Sequence, residues 1–180
     1  MLESDRNMTV LPSREFDIGA LYNALDAERI SRGLSWPQVT REINRQFARL
    51  PSRPIAISTV SGMLSRRAIE GDSALQMLRW LRRTPESFVR GFSAADGDAL
   101  PEGADDRIIR FDTRAIYAAL DVQRIGRGMT WKEVAAEIGG MNAPALTRLS
   151  KGGRTGFPDV MRIVRWLGRP AASLMYLSNW

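Results

Sequence analysis

Two stretches of the chain decide its fold when one is laid on the other: FDIGALYNALDAERISRGLSWPQVTREI, residues 16–43, and FDTRAIYAALDVQRIGRGMTWKEVAAEI, residues 111–138. They align without gaps at an offset of 95, and fifteen of the 28 positions are identical, against the one or two that chance would give. The shared residues include Phe16/Phe111, Tyr22/Tyr117, Asp26/Asp121, Arg29/Arg124, Gly33/Gly128, Trp36/Trp131 and Ile43/Ile138. Further along the offset becomes 86, so that Arg79-Trp80-Leu81 falls on Arg165-Trp166-Leu167 and Ser87 on Ser173. The chain is therefore a duplication, and the first copy carries nine more residues than the second between Ile43 and Val60.

Each copy has the periodicity of helices, and no alternating strand pattern stands out, which predicts an all-α protein. A first helix is expected over 17–32 and 112–127, each ending at a glycine suited to a left-handed residue, Gly33 or Gly128. Ser35-Trp36-Pro37-Gln38 and Thr130-Trp131-Lys132-Glu133 read as capping boxes, so a second helix starts at Trp36 and at Trp131. In the first copy that helix is expected to run on through Leu50. Third helices are expected over 58–65 and 143–150, fourth helices over 73–82 and 158–167, and a short fifth after Thr84 and after Arg169.

Composition narrows the function. The chain has 180 residues, 44% of them hydrophobic and 26% charged, with neither histidine nor cysteine. That absence removes the usual general base, the thiolate nucleophile, structural zinc, iron–sulfur clusters and disulfides, and no motif announces another catalysis, so the expectation is not an enzyme and no cofactor. The start, MLESDRNMTVLPSREF, lacks a basic segment followed by an apolar run, and no stretch approaches 18 apolar residues, so a cytoplasmic protein without membrane contact is expected. Residues 91–106, GFSAADGDALPEGADD, hold five acids and no base and read as a solvated linker, with Asp96, Asp98, Asp105 and Asp106 lacking the ladder of a calcium loop. The organisation expected is a tail over 1–15, one unit over 16–90, the linker, and a second unit over 107–180. The net charge of +6 gathers in the units, +5 on the first and +7 on the second, which points to a polyanionic partner. As a flexible coil the linker would act as a tether averaging about 22 Å.

RGMTWKEVAAEIGGMNAPALTRLSKGGR, residues 127–154, resembles the helix-turn-helix of the Cro and lambda-repressor-like class, often called XRE-type and found in bacterial and phage regulators. The likeness runs through the glycine, the Thr130 cap, apolar Val134, small Ala135, Ile138, Gly139, and then Leu146 and Leu149 inward with Gly152 behind. It covers residues 111–174 and, by duplication, most of the first copy. It implies two tandem five-helix lambda-repressor-like helix-turn-helix domains, with the third helix in the major groove of double-stranded DNA and the N-terminus of the second facing a phosphate.

Carried over residue by residue, the resemblance assigns Asn142, Ala143, Pro144, Thr147 and Arg148 to the groove and Lys151 and Arg154 to the backbone. Arg148 is the best base reader, since a guanidinium bonds guanine O6 and N7 together. The first copy departs from the pattern. If Val60 and Met63 take the inward places of Leu146 and Leu149, Gly62 stands where the second copy has Arg148; a register one residue away would match Leu64-Ser65-Arg66 to Leu149-Ser150-Lys151. Either way Ser58, Thr59 and Ser61 are small readers, and Arg53, Arg66 and Arg67 are suited to phosphate. Trp36 and Trp131 have two readings, an indole donor to phosphate and core packing, whereas Trp80 and Trp166 read as core. The function implied is a sequence-specific transcriptional regulator acting as an intramolecular pseudo-dimer. The alternative is a docking module for another protein or for itself, in which one or both units have lost DNA readout. No ligand-sensing domain has room outside the copies.

Overall fold

The structure, a computed structural model, describes residues 16–66, 68–90, 98–101 and 106–179. The tail over 1–15, Arg67 and most of the acidic connector, including Asp96 and Asp105, lie outside the described residues. The fold is mostly helical. The first copy contributes α1 (Ile18–Ser31), α2 (Trp36–Arg45), α3 (Ile57–Ser61) and α4 (Gly71–Leu81), and the second α5 (Thr113–Gly126), α6 (Trp131–Ile138), α7 (Ala143–Arg148) and α8 (Phe157–Leu167). Each third helix runs into one tight 3-10 turn, and the expected fifth helices are single 3-10 turns at Pro85–Phe88 and Ala171–Leu174. Among the described residues no helix is long and apolar enough to cross a membrane.

Local chemistry sets most of these boundaries. Asp17 and Asp112 accept the amides of Ala20 and Ala115 at 2.9 Å, capping α1 and α5 at equivalent points. Both helices end before a glycine with positive φ, Gly33 at 62° and Gly128 at 63°. Val60 and Met63 are fully buried while Leu64 is 60% exposed, which fixes the register that puts Gly62 opposite Arg148.

Two expectations are corrected. α2 stops at Arg45, after which the amides of Gln46, Phe47 and Ala48 bond three residues back, the tighter turn that ends a helix. The cause is the insertion itself: Phe47 is 2% exposed, and the Asn44 side chain exchanges two bonds with the backbone of Ile55, at 2.9 and 2.8 Å, which folds the loop back on the helix. The mostly helical fold agrees with the all-α expectation and adds one small sheet to it. β1 (Ile108–Phe111) pairs antiparallel with β2 (Met175–Ser178), Ile108 opposite Ser178 and Phe111 opposite Met175. The equivalent residues of the first copy, Phe16 and Val89, form a single bridge.

The second correction concerns the tether. The copies are packed on each other, and their buried side chains form one continuous core. At the seam Glu70 and Gly156, equivalent positions, form an antiparallel bridge. The Gly71 amide donates to the Thr155 carbonyl at 2.8 Å, and the Phe157 amide donates to the Ile69 carbonyl at 2.7 Å. Since 71 and 69 match 157 and 155 at the offset of 86, the two bonds are one contact made twice, which is the signature of a local two-fold axis. α4 and α8 pack beside it. Side chains add to the joint: Gln76, fully buried, donates to the Ile109 carbonyl at 2.7 Å, Asp72 pairs with Arg110 at 2.7 Å, and Glu86 accepts the Ala171 amide at 2.6 Å. Burial holds the Asp72 carboxyl above its ordinary range, an effect that Glu70 adds to and Arg110 only partly offsets.

Candidate nucleic-acid interface

In the second copy α6 and α7 are joined through Gly139 and Gly140, both at positive φ, and pinned by Val134, Ile138, Leu146 and Leu149 facing inward. Asn142 caps α7 by accepting the Ala145 amide at 2.9 Å, and Pro144 occupies the second helical position, where no amide bond is lost. Thr147 turns its hydroxyl back to the Pro144 carbonyl at 3.3 Å, so its methyl group is the part free to meet a partner. Ala143 is half-buried and Pro144 exposed. Arg148, last in the helix, is exposed and has no hydrogen-bonding or ionic partner among the described residues. Its five donors are therefore open to a ligand.

Behind α7 the chain passes through Gly152 (φ 76°) and Gly153 (φ 111°) along a cleft of about 550 Å³ that Arg110, Arg114, Lys151 and Arg154 also line. Lys151 is exposed. Arg154 lies 3.9 Å from Glu70 of the first copy, so a phosphate there would compete with a carboxylate already present. Arg110 and Arg114 reach this cleft from β1 and α5, and sequence reading missed both because they are remote in sequence from the third helix.

The start of α6 is less inviting to phosphate than the resemblance implies. Glu133 accepts the Thr130 amide and hydroxyl, each at 2.7 Å, and these bonds hold its carboxyl below the usual range, so a fixed anion already sits at that end. In α2 the same place is taken by the neutral Gln38, which accepts the Ser35 amide at 2.8 Å.

The first copy presents a different third helix. Ser58 is exposed, Thr59 and Ser61 are half-exposed, and Ser61 spends its hydroxyl on the Ile57 carbonyl at 3.1 Å. At Gly62 a Cβ would lie 2.7 Å from the Ser58 carbonyl oxygen, so no side chain fits at the position of Arg148 without moving backbone. Arg53 and Arg66 are exposed, the former on the insertion and the latter just past the 3-10 turn, and Arg67 lies outside the described residues.

The tryptophans form two matched sets. Trp36 packs between Tyr22 (5.4 Å) and Arg29 (5.1 Å), and Trp131 between Tyr117 (5.2 Å) and Arg124 (5.0 Å), with both indole N–H groups unpartnered among the described residues. Packing thus accounts for the rings and leaves the donors open. Trp80 and Trp166 are not core residues in full. They are half-buried and donate to Glu42 and Glu137, each at 2.9 Å, while Arg32 and Arg127 lie over the rings and pair with the same carboxylates. The carboxyls of Glu42 and Glu137 are accordingly held below the usual range.

Comparison with protein-family models, curated proteins and solved structures finds no match to this chain.

Proposed function

We propose that this protein is a sequence-specific DNA-binding regulator, built from two tandem lambda-repressor-like helix-turn-helix units that stand as an intramolecular pseudo-dimer. One observation carries the reading: the reciprocal seam at Ile69–Gly71 and Thr155–Phe157 lies just beyond each third helix. From Ser65 to Glu70, and from Lys151 to Gly156, is five residues, at most about 17 Å of chain on each side of the bridge. The ends of the two helical segments are thus related by the local two-fold and no more than about 40 Å apart, which accommodates the spacing of about 34 Å between successive major grooves on one DNA face. Arg148, exposed and unpaired, supplies the base contact, and the exposed Arg114 and Lys151 at the cleft behind α7 supply phosphate contacts.

The reading is tested by selecting bound sites from random duplexes and titrating variants against the selected site. Arg148→Ala is expected to cost about 1–3 kcal/mol and to flatten preference in one half-site, as loss of a bidentate guanine contact does. Arg66→Ala is expected to weaken all sequences alike and to lower the salt slope by about one. With six phosphates engaged, affinity should fall about a thousandfold between 50 and 200 mM salt. A flat salt response, or unchanged discrimination in Arg148→Ala, would refute the proposal.

A further inference from the structure

The cations that the first copy lacks on its third helix stand on its second. Arg41 and Arg45 lie one turn apart on the outward face of α2, about 6 Å along the axis, and the insertion adds Arg49 and Arg53. The second copy has Ala136 and Gly140 at the positions of Arg41 and Arg45, and no insertion. Between helix and insertion lies a groove of about 390 Å³, with Arg41 and Arg45 on one wall and Ala48, Leu50 and Pro54 on the other. The groove is preformed. Phe47 anchors it in the core, and the double bond between Asn44 and Ile55 holds the outer wall in place, so little ordering is left for a ligand to impose.

Arg41 and Arg45 are exposed and in no salt bridge among the described residues, although Arg45 is near enough to Glu42 to help lower its carboxyl's pKa. Arg49 does pair, with Asp106 at 3.0 Å, so one carboxylate of the chain is already held by the insertion. A phosphate backbone would use the guanidinium groups and leave the apolar hollow empty, whereas an acidic peptide with a bulky apolar side chain uses both. We propose that the groove between α2 and the insertion docks an acidic protein segment, its carboxylates on Arg41 and Arg45 and one apolar side chain between Leu50 and Pro54. The site is independent of the DNA reading, which rests on α7 and the seam.

The test is fluorescence anisotropy of the full chain with two labelled peptides of about twelve residues, both rich in Asp and Glu, one carrying a central Phe-Leu pair and the other Gly-Gly in its place. The Phe-Leu peptide should bind in the micromolar range and at least about fivefold tighter than the Gly-Gly peptide, the apolar side chains making the difference. Arg41→Glu combined with Arg45→Glu should weaken it about tenfold or more, and Arg148→Ala should leave it unchanged. Ala48→Glu, exposed on the opposite wall of the groove and outside α2, should weaken it in the same direction and decides the matter if the helix variant fails to fold. Equal affinity for the two peptides, no binding of either, or indifference to both groove variants would overturn the proposal. So would a double reversal that weakens duplex DNA and spares the peptide, since the face would then be a phosphate track. Failure of Arg148→Ala to alter DNA recognition would leave this result standing, so the two readings fail separately.

Discussion

If the two copies share one core, a cut at the seam should be felt by the whole chain, and Phe157 is the place to make it. Its side chain is fully buried, its ring lies 4.4 Å from Phe16 and 5.8 Å from Phe111, and its amide is half of the reciprocal backbone pair. Phe157→Ala leaves the backbone bond and removes the ring, a loss of about 3–5 kcal/mol when the surroundings cannot collapse onto the space. In a protein of this size each kcal/mol lowers the melting temperature by about 2–4 °C, so the midpoint should drop by roughly 6–20 °C. The assay is urea and thermal unfolding of the intact chain, followed in parallel by far-UV dichroism and tryptophan fluorescence. The parent should show one transition with coincident midpoints, and in the variant that single transition should move as a unit. Two transitions in the parent, or a variant in which only the second copy loosens, would refute the shared core and restore a tether between independent units.

Three further outcomes follow from particular contacts. Gly62→Ala should destabilise by about 1–3 kcal/mol in urea unfolding, because its methyl would sit 2.7 Å from the Ser58 carbonyl, although alanine normally favours a helix; a gain would refute the clash. Gln76→Leu should cost about 1–3 kcal/mol by stranding the Ile109 carbonyl, and no loss would mean that carbonyl finds another donor. Glu42 lies below its ordinary value of 4.5 chiefly because Trp80 donates to it, so it stabilises the fold above that pH and the contribution is lost as pH falls through the folded value. Trp80→Phe should raise the Glu42 pKa seen by carboxyl NMR, more than Trp166→Phe raises that of Glu137, whose leading cause is Arg127. Equal shifts would show that the matched sets are electrostatically alike.

What the sequence made legible is local. Asp17 and Asp112 announce helix starts, Gly33 and Gly128 announce ends, and the spacing of Leu146 and Leu149 was enough to turn Arg148 outward, all within one or two turns of chain. The seam was not legible, because Ile69–Gly71 and Thr155–Phe157 join through backbone groups that every sequence carries. β1 and β2 are four residues each, too short for alternation to register, and they gain their partners from opposite ends of the second copy. The end of α2 was misread because Phe47 continues the helical period; its burial draws the chain into a turn. Trp80 and Trp166 sit among apolar neighbours in sequence, and nothing local marks Glu42 and Glu137, 38 and 29 residues away, as acceptors.

The two-fold at the seam is broken at its centre, and this has a consequence for what the copies can become. Phe157 fills the space against Phe16, but the equivalent position in the first copy is Gly71, where even a Cβ would lie 3.0 Å from both the Phe111 ring and the Thr155 carbonyl. One large side chain occupies a place that cannot hold two. A homodimer cannot make this arrangement, since each residue must suit both sides of an isologous contact. Within one chain the sides are free to diverge, and here they have: glycine against phenylalanine at the axis, Gly62 against Arg148 on the third helix, Arg41 and Arg45 against Ala136 and Gly140 on the second. The seam fixes which unlike copy stands on which side, so a partner that engages both must itself be asymmetric. For DNA that means unequal half-sites, with base preference concentrated under α7. A perfectly palindromic site with equal preference in both halves would contradict this, because Gly62 offers no side chain with which to read the second half.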